Sequence, residues 1–262
     1  MNMKLKNIIG LFVLLAAITL FSCEKNDLRL TQFDLPADKA YVRYVFVSPN
    51  TPAVVIKVDS VKVNGANTSG SAGLFPSIST AADYSATNPN GKLQLSLVNT
   101  GTANDSVILF TNTLALTANK FYTVTLADTG VDRTVFSLED DVSVADSGTF
   151  RIRMINAMAK SPAVNLIRID STSPTMVLRD TIARNVAYKS GSSFITTAIA
   201  PAPGYTLLRF RVVSVTGQQI GAAITALAPA TANKRSFSFF ATGFATGTAT
   251  LAPNVTSFVY NK

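Results

Sequence analysis

The chain has 262 residues, a formal net charge of +8, 47% hydrophobic residues and only 15% charged residues. It has no histidine, no tryptophan and one cysteine. This excludes an intramolecular disulfide, histidine-dependent nucleophile pairs, and zinc or copper sites built from His and Cys. We therefore expect no metal and no cofactor, and a chain of this length without histidine favours a scaffold or binding module over an enzyme.

The first segment has the features of a secretory signal peptide. Two lysines precede an apolar stretch at 8–21, which is shorter than the roughly 20 residues that a spanning helix needs. The residues from Leu20 through Ser22 to Cys23 resemble a bacterial lipobox, in which the cysteine receives a lipid. We predict a lipoprotein signal peptide at 1–22 and lipidation of Cys23, which would anchor the protein in the cell envelope, at the outer membrane.

Beyond the signal peptide, the two halves of the chain share a pattern. An arginine in a strand-like run, Arg43 or Arg153, stands nine residues before the proline of a Pro-Ala-Val segment. Thr-Ala-Asn-Lys then recurs near the far end of each half, at 117–120 and 231–234. Such self-similarity at a fixed period indicates two copies of one structural unit.

Each half reads as β-structure. Apolar and polar residues alternate at 93–97, at 122–126 and at 208–212, as they do in half-buried strands. Short strands separated by frequent turns over about 100 residues are typical of a β-sandwich. The predicted fold is therefore all-β, with two tandem immunoglobulin-like antiparallel β-sandwiches.

The predicted order of segments follows from the repeat and from the polar stretches around it. A flexible tether at 23–39 leads into the first β-sandwich repeat at 40–138. An acidic linker at 139–147, which ends in Ser-Gly, then leads into the second repeat at 148–262.

The residues that open each half resemble a known family. The segment Val-Ser-Pro-Asn-Thr-Pro-Ala-Val at 47–54, and Ser-Pro-Ala-Val at 161–164, are similar to the opening of the bacterial surface family called domain of unknown function 4397. The resemblance extends over 40–262, and the family's frequent histidine is Phe46 and Asn156 here. It implies an immunoglobulin-like sandwich on a cell-envelope lipoprotein and no established activity.

Charge is distributed unequally between the halves. Residues 23–147 hold nine basic and thirteen acidic residues, whereas residues 148–262 hold twelve basic and two acidic residues. Two Arg-x-Arg pairs in the basic half lie on predicted strands, where alternate residues share a face. The four side chains are those of Arg151, Arg153, Arg209 and Arg211.

A face with several guanidinium groups can bind phosphate, sulfate or uronate groups. The four arginines are therefore candidates for anion binding, with an anionic polysaccharide or lipopolysaccharide as the partner. The alternative is a solvated outer face on which arginine stems cover apolar surface. A nucleic-acid partner is not expected, because the chain is predicted to be exported and no aromatic residues interleave with the arginines.

Acidic residues concentrate near the junction of the halves, and calcium binding has to be weighed against a solvated linker. Without a regular calcium loop, the linker interpretation is favoured. Adjacent carboxylates on a strand face opposite ways, so a carboxylate-dependent glycan hydrolase ranks below a non-catalytic binding module and below a structural spacer. The residues concerned are Asp132, Glu139, Asp140, Asp141 and Asp146.

Four Asp-Ser or Asp-Thr pairs resemble an O-glycosylation signal of exported bacterial proteins. The acceptor hydroxyls would be those of Ser60, Ser106, Ser171 and Thr181. The equally weighted alternative is that these pairs are turn residues beside strands.

Overall fold

The structure is a computed structural model that describes residues 36–48, 54–63, 77–78, 84–97, 107–128, 132–169, 178–200, 207–248 and 252–260. The chain divides into two compact units, Met1–Pro36 and Ala37–Lys262. The predicted signal peptide and Cys23 lie outside the described residues. The architecture below is that of the second unit.

The described chain is built from short strands. The first nine are β1 (Ala40–Phe46), β2 (Val54–Val58), β3 (Val61–Lys62), β4 (Ser77–Ile78), β5 (Ser85–Thr87), β6 (Lys92–Leu97), β7 (Ile108–Thr113), β8 (Phe121–Ala127) and β9 (Thr134–Glu139). The next nine are β10 (Thr149–Asn156), β11 (Val164–Ile169), β12 (Leu178–Val186), β13 (Ser190–Gly191), β14 (Ile195–Ala198), β15 (Leu208–Ser214), β16 (Gln219–Leu227), β17 (Ser236–Thr242) and β18 (Asn254–Tyr260). A single turn of helix, α1 (Pro229–Ala232), precedes β17. Among the described residues, no helix is long and apolar enough to cross a membrane.

The strands form four sheets, in two pairs with the same strand order. Sheet A has the order β4-β1-β8-β9, with β5 also on β1, and sheet B has the order β3-β2-β6-β7. Sheet C has the order β13-β10-β17-β18, with β14 also on β10, and sheet D has the order β12-β11-β15-β16. Every strand of sheets A and B therefore has a counterpart nine strands later, in sheets C and D.

Pairing is antiparallel throughout sheets B and D, as the sequence predicts. The prediction is wrong at the centre of the other two sheets, where β1 runs parallel to β8 and β10 runs parallel to β17. The reason is the path of the chain. β7 lies in sheet B, so the chain must cross to sheet A before β8, and a crossover allows parallel pairing where a tight hairpin does not.

Each half has its own apolar core between two sheets and is therefore an all-β sandwich, which confirms the predicted fold class. Between sheets A and B, Tyr44 and Phe46 pack with Ile56, Leu93 and Leu95. Between sheets C and D, the core is centred on phenylalanines, and the ring centroid of Phe150 lies 6.1 Å from that of Phe210 and 6.0 Å from that of Phe237.

A third apolar cluster lies between sheets A and C. It contains Val45, Val47, Ala127, Ile155, Ala157 and Phe240. These residues alternate along their strands with the residues of the two sandwich cores, so they face the other way. The four sheets therefore stack in the order B, A, C, D, and the central sheets A and C are covered on both faces.

Candidate functional site

We call the interface between sheets A and C the joint. One end of it is polar and contains a buried ion pair. Nη2 of Arg153 on β10 lies 2.6 Å from Oδ1 of Asp140, which follows β9, and the two side chains are 2% and 1% exposed. The two halves of the chain are thus connected by opposite charges that are withdrawn from water.

Neighbouring polar groups satisfy this ion pair. Arg153 donates through Nε to Ser238 Oγ (2.7 Å) and through Nη2 to Thr123 Oγ1 (2.9 Å). The second carboxylate oxygen of Asp140 accepts hydrogen bonds from the hydroxyls of Thr123 and Tyr84, both at 2.7 Å. The hydrogen bonds reach both sheets, and such satisfaction is what makes a buried charge pair tolerable.

Arg151, two residues earlier on β10, forms the rim of the same end. It makes an ion pair with Asp141 and donates from Nη1 to the carbonyl and hydroxyl oxygens of Ser143, at 2.9 and 2.7 Å. The guanidinium of Arg151 and the hydrogen bonds from Ser143 hold the pKa of Asp141 below its usual range. Arg151 and Arg153 also lie over the ring of Phe194, at 5.0 and 4.5 Å from its centroid.

The far end of the joint carries a second set of polar contacts. Asp128 accepts a hydrogen bond from the Tyr188 hydroxyl, and its Oδ2 lies 2.9 Å from Nζ of Lys189. Burial and the nearby Asp128 carboxylate raise the pKa of Tyr188. Acids of the first half and bases of the second half therefore meet at both ends of the apolar cluster.

A cleft of about 600 Å³ opens beside the end of the joint that contains the Asp140–Arg153 ion pair. Phe121, Phe194, Ser192 and Ser193 line it, together with the ion-paired side chains of the joint. Nζ of Lys120 in the cleft lies 2.7 Å from Oε1 of Glu139, and this contact raises the pKa of the lysine. Since each of the three cations in the cleft has a carboxylate partner, an anionic ligand would have to displace a carboxylate of the protein.

The structure corrects the prediction of one arginine face. Arg151 and Arg153 are buried at the joint, whereas Arg209 and Arg211 lie on β15 in sheet D. Leu208, Phe210 and Val212 of that strand point into the core. Arg209 and Arg211 therefore share the outer face of sheet D, where both side chains are partly exposed.

The predicted acidic linker is also corrected. Glu139 is the last residue of β9, and Asp140 is buried, so this part of the junction belongs to the folded interface. Asp132 and Asp146 are exposed, but Glu139, Asp140 and Asp141 each pair with a basic side chain. Within the described ranges, no group of three or more potential ligand residues is arranged to hold a metal ion.

The four predicted O-glycosylation residues have different positions. Ser60 is exposed in the turn between β2 and β3, where it and Asp59 both have positive φ, as in a type I′ hairpin turn. The Asp59 carboxylate accepts hydrogen bonds from Lys92 N (2.8 Å) and Asn88 Nδ2 (2.6 Å), which lower the pKa of Asp59. Thr181 is partly buried on β12. The other two residues, Ser106 and Ser171, lie outside the described part of the chain.

Sequence reasoning missed the partners that complete the joint. Tyr84, Thr123, Asp128, Tyr188 and Ser238 follow no local motif, and they meet only because sheets A and C stack. One signal did exist in the sequence. The first half is acidic and the second half is basic, as expected if the two halves bind each other.

The sequence of this chain was compared with known protein families and with curated proteins. The model of a family described as Domain of unknown function (DUF4397) matches residues 40–167. This segment contains β1 to β9 and continues through β10 into β11, so it includes Asp140, Asp141, Arg151 and Arg153 of the joint. No curated protein matches the chain.

Proposed function

We propose a role for this protein from the charge on its surface, because the DUF4397 family, whose model matches residues 40–167, is described as a domain of unknown function. The protein is a lipid-anchored, non-catalytic binding module of the cell envelope, attached to the outer membrane through Cys23. Its binding surface is the outer face of sheet D, and its ligand is an anionic polysaccharide or the anionic part of lipopolysaccharide.

Intact mass spectrometry of the mature protein should find an acylated Cys23 at its N-terminus, and any other N-terminus would contradict the anchor.

The observation that supports the binding role is the charge left after the joint is formed. The joint takes up Arg151, Arg153 and Lys189 with acids of the first half. Residues 148–262 contain only two acids, Asp170 and Asp180, to balance their other nine bases. The second half therefore keeps a large positive excess outside the joint, and Arg209 and Arg211 place two of these charges on one face.

The carboxylates at the joint favour a non-catalytic role. A general acid must hold a proton near the working pH, whereas Arg151 holds the pKa of Asp141 below its usual range. Asp140 is committed to Arg153, Thr123 and Tyr84. A glycan hydrolase using these two residues would have to break the contacts that connect the two halves.

The test is retention of the whole mature protein on immobilised heparin across a salt gradient. Arg209→Ser with Arg211→Ser should lower the eluting salt concentration well beyond Lys160→Ser with Lys234→Ser, which removes the same charge from exposed positions outside sheet D. Binding to exposed charges is screened over about 8 Å at physiological salt, so some loss is expected from both variants. Equal losses would mean that charge acts diffusely, and the outer face of sheet D would then not be a site.

A structural spacer is the second candidate, and the joint is the observation that favours it. An apolar cluster with ion pairs at both ends holds the two sandwiches together. A spacer needs such a fixed connection and no ligand. Retention on heparin that none of the four substitutions changes would favour this second candidate.

A further inference from the structure

The joint is formed by the same surface of both halves. Sheets A and C have the same strand order, and their central pairs, β1 with β8 and β10 with β17, face each other. Val45 and Ile155 occupy corresponding places on β1 and β10, and both lie in the shared apolar cluster. Contact between equivalent patches is the arrangement of an isologous homodimer interface, built here within one chain.

The polar end of this interface repeats as well. Arg43 on β1 lies beside Thr123 and over the ring of Tyr84, 4.9 Å from its centroid. Arg153 on β10 lies beside Ser238 and over the ring of Phe194, 4.5 Å from its centroid. The two arginines thus occupy matching environments, and both are almost completely buried.

Asp140 breaks this symmetry. Its carboxylate connects Arg153 of the second half to Thr123 and Tyr84 of the first half. By strand register the corresponding position in the second half is Tyr260, the last residue of β18, which pairs with Ser236 and is not an acid. Asp140 is therefore an addition to an otherwise repeated arrangement at this end of the joint.

We infer that β1–β9 and β10–β18 form one rigid body, and that the Asp140–Arg153 ion pair fixes their relative orientation. The joint is not a hinge. Separating the halves would expose the apolar cluster and would break the ion pair between Asp140 and Arg153. Sliding one half along the other would leave both charges unpaired in a low-dielectric interface. A single permitted orientation follows. This inference concerns the joint alone and does not depend on any ligand of sheet D.

Equilibrium unfolding of the whole mature protein in urea tests the role of the Asp140–Arg153 ion pair. The wild type should unfold in one cooperative transition, because the two halves share the apolar cluster between sheets A and C. Asp140→Asn and Arg153→Met should each lower the midpoint clearly, and the double variant should lose much less than the sum of the two, because neither charge is then left alone. Glu139→Gln is the matched control, since it breaks the neighbouring exposed pair with Lys120 and should shift the midpoint little.

The relative orientation of the two halves is measured in a separate experiment, so the test does not depend on stability alone. Spin labels at Val61→Cys and Val215→Cys, both on exposed positions of different halves, in a Cys23→Ser background, should give one narrow distance distribution. Asp140→Asn should broaden it, and Glu139→Gln should leave it unchanged. Two separate unfolding transitions in the wild type, additive losses at Asp140 and Arg153, or a broad wild-type distribution would each overturn the inference.

Discussion

Two Arg-x-Arg pairs with the same spacing behave differently in this molecule. Arg151 and Arg153 lie on β10 in a central sheet, where they are buried and paired with Asp141 and Asp140. Arg209 and Arg211 lie on β15 in an outer sheet and stay partly exposed. In both strands the arginines point away from their own sandwich core. What differs is whether another sheet covers that outward face, so an identical motif is a structural element in one layer and a candidate binding surface in the other.

The apolar part of the joint offers the strongest way to break this comparison. Phe240→Ala removes a fully buried ring from the cluster between sheets A and C and should cost about 3–5 kcal/mol of unfolding free energy. Val61→Ala, at a side chain that is 67% exposed, should stay within about 0.5 kcal/mol. The measurement is urea unfolding followed by circular dichroism. If Phe240→Ala costs no more than Val61→Ala, the cluster does not hold the halves together.

The same conservative change at both arginine pairs sharpens the comparison. Arg153→Lys keeps the charge but cannot reach Asp140, Thr123 and Ser238 together, so it should cost about 1–3 kcal/mol. Arg209→Lys on the outer face should change stability by less than about 0.5 kcal/mol. Thermal and urea unfolding of the two variants give the answer. Equal losses would show that burial at the joint does not distinguish the two motifs.

The rim of the joint gives the smallest effect, and it depends on pH. The lowered pKa of Asp141 in the folded protein means that its contribution to stability is present above the unfolded value of about 3.9 and is lost as the pH falls below it. Because the Asp141 side chain is 57% exposed, the contribution should not exceed about 1 kcal/mol.

The measurement is unfolding of wild type and Asp141→Asn between pH 7 and pH 2. The wild type should be the more stable protein at pH 7, and the difference should shrink as the pH falls below about 4. Asp146→Asn, at an exposed acid of the same connection, serves as the control. A difference that stays constant over the whole range would contradict a role for the Asp141 charge.

The strands show how far local pattern reaches. The alternation at 208–212 predicts a strand with one buried face, and β15 has that pattern. The alternation at 122–126 predicts the same, but in β8 the threonines are buried too, and Thr123 and Thr125 are 0% exposed. The sequence at 122–126 does not reveal this, because threonine suits an exposed face as well as one that is covered by another sheet and hydrogen-bonded to it.

The candidate site divides in the same way. The alternate placement of the arginines and the excess of base in the second half could be read directly from the residues, and so could the acids near residue 140. That these charges would bind each other depended on contacts such as Arg153 with Thr123 and Tyr188 with Asp128, which join residues 30 and 60 positions apart. No local motif carries such a pairing.

The sequence by itself determined that this protein is all-β, that it resembles the DUF4397 family, and which side chains share a face of each strand. These properties follow from a backbone geometry that repeats every two residues and therefore act over short distances. Only the tertiary structure decided which outward faces are covered, which strands run parallel, and that the acidic junction is part of a buried interface. Those outcomes depend on how sheets stack, and stacking is decided by apolar area and paired charges brought together from distant parts of the chain.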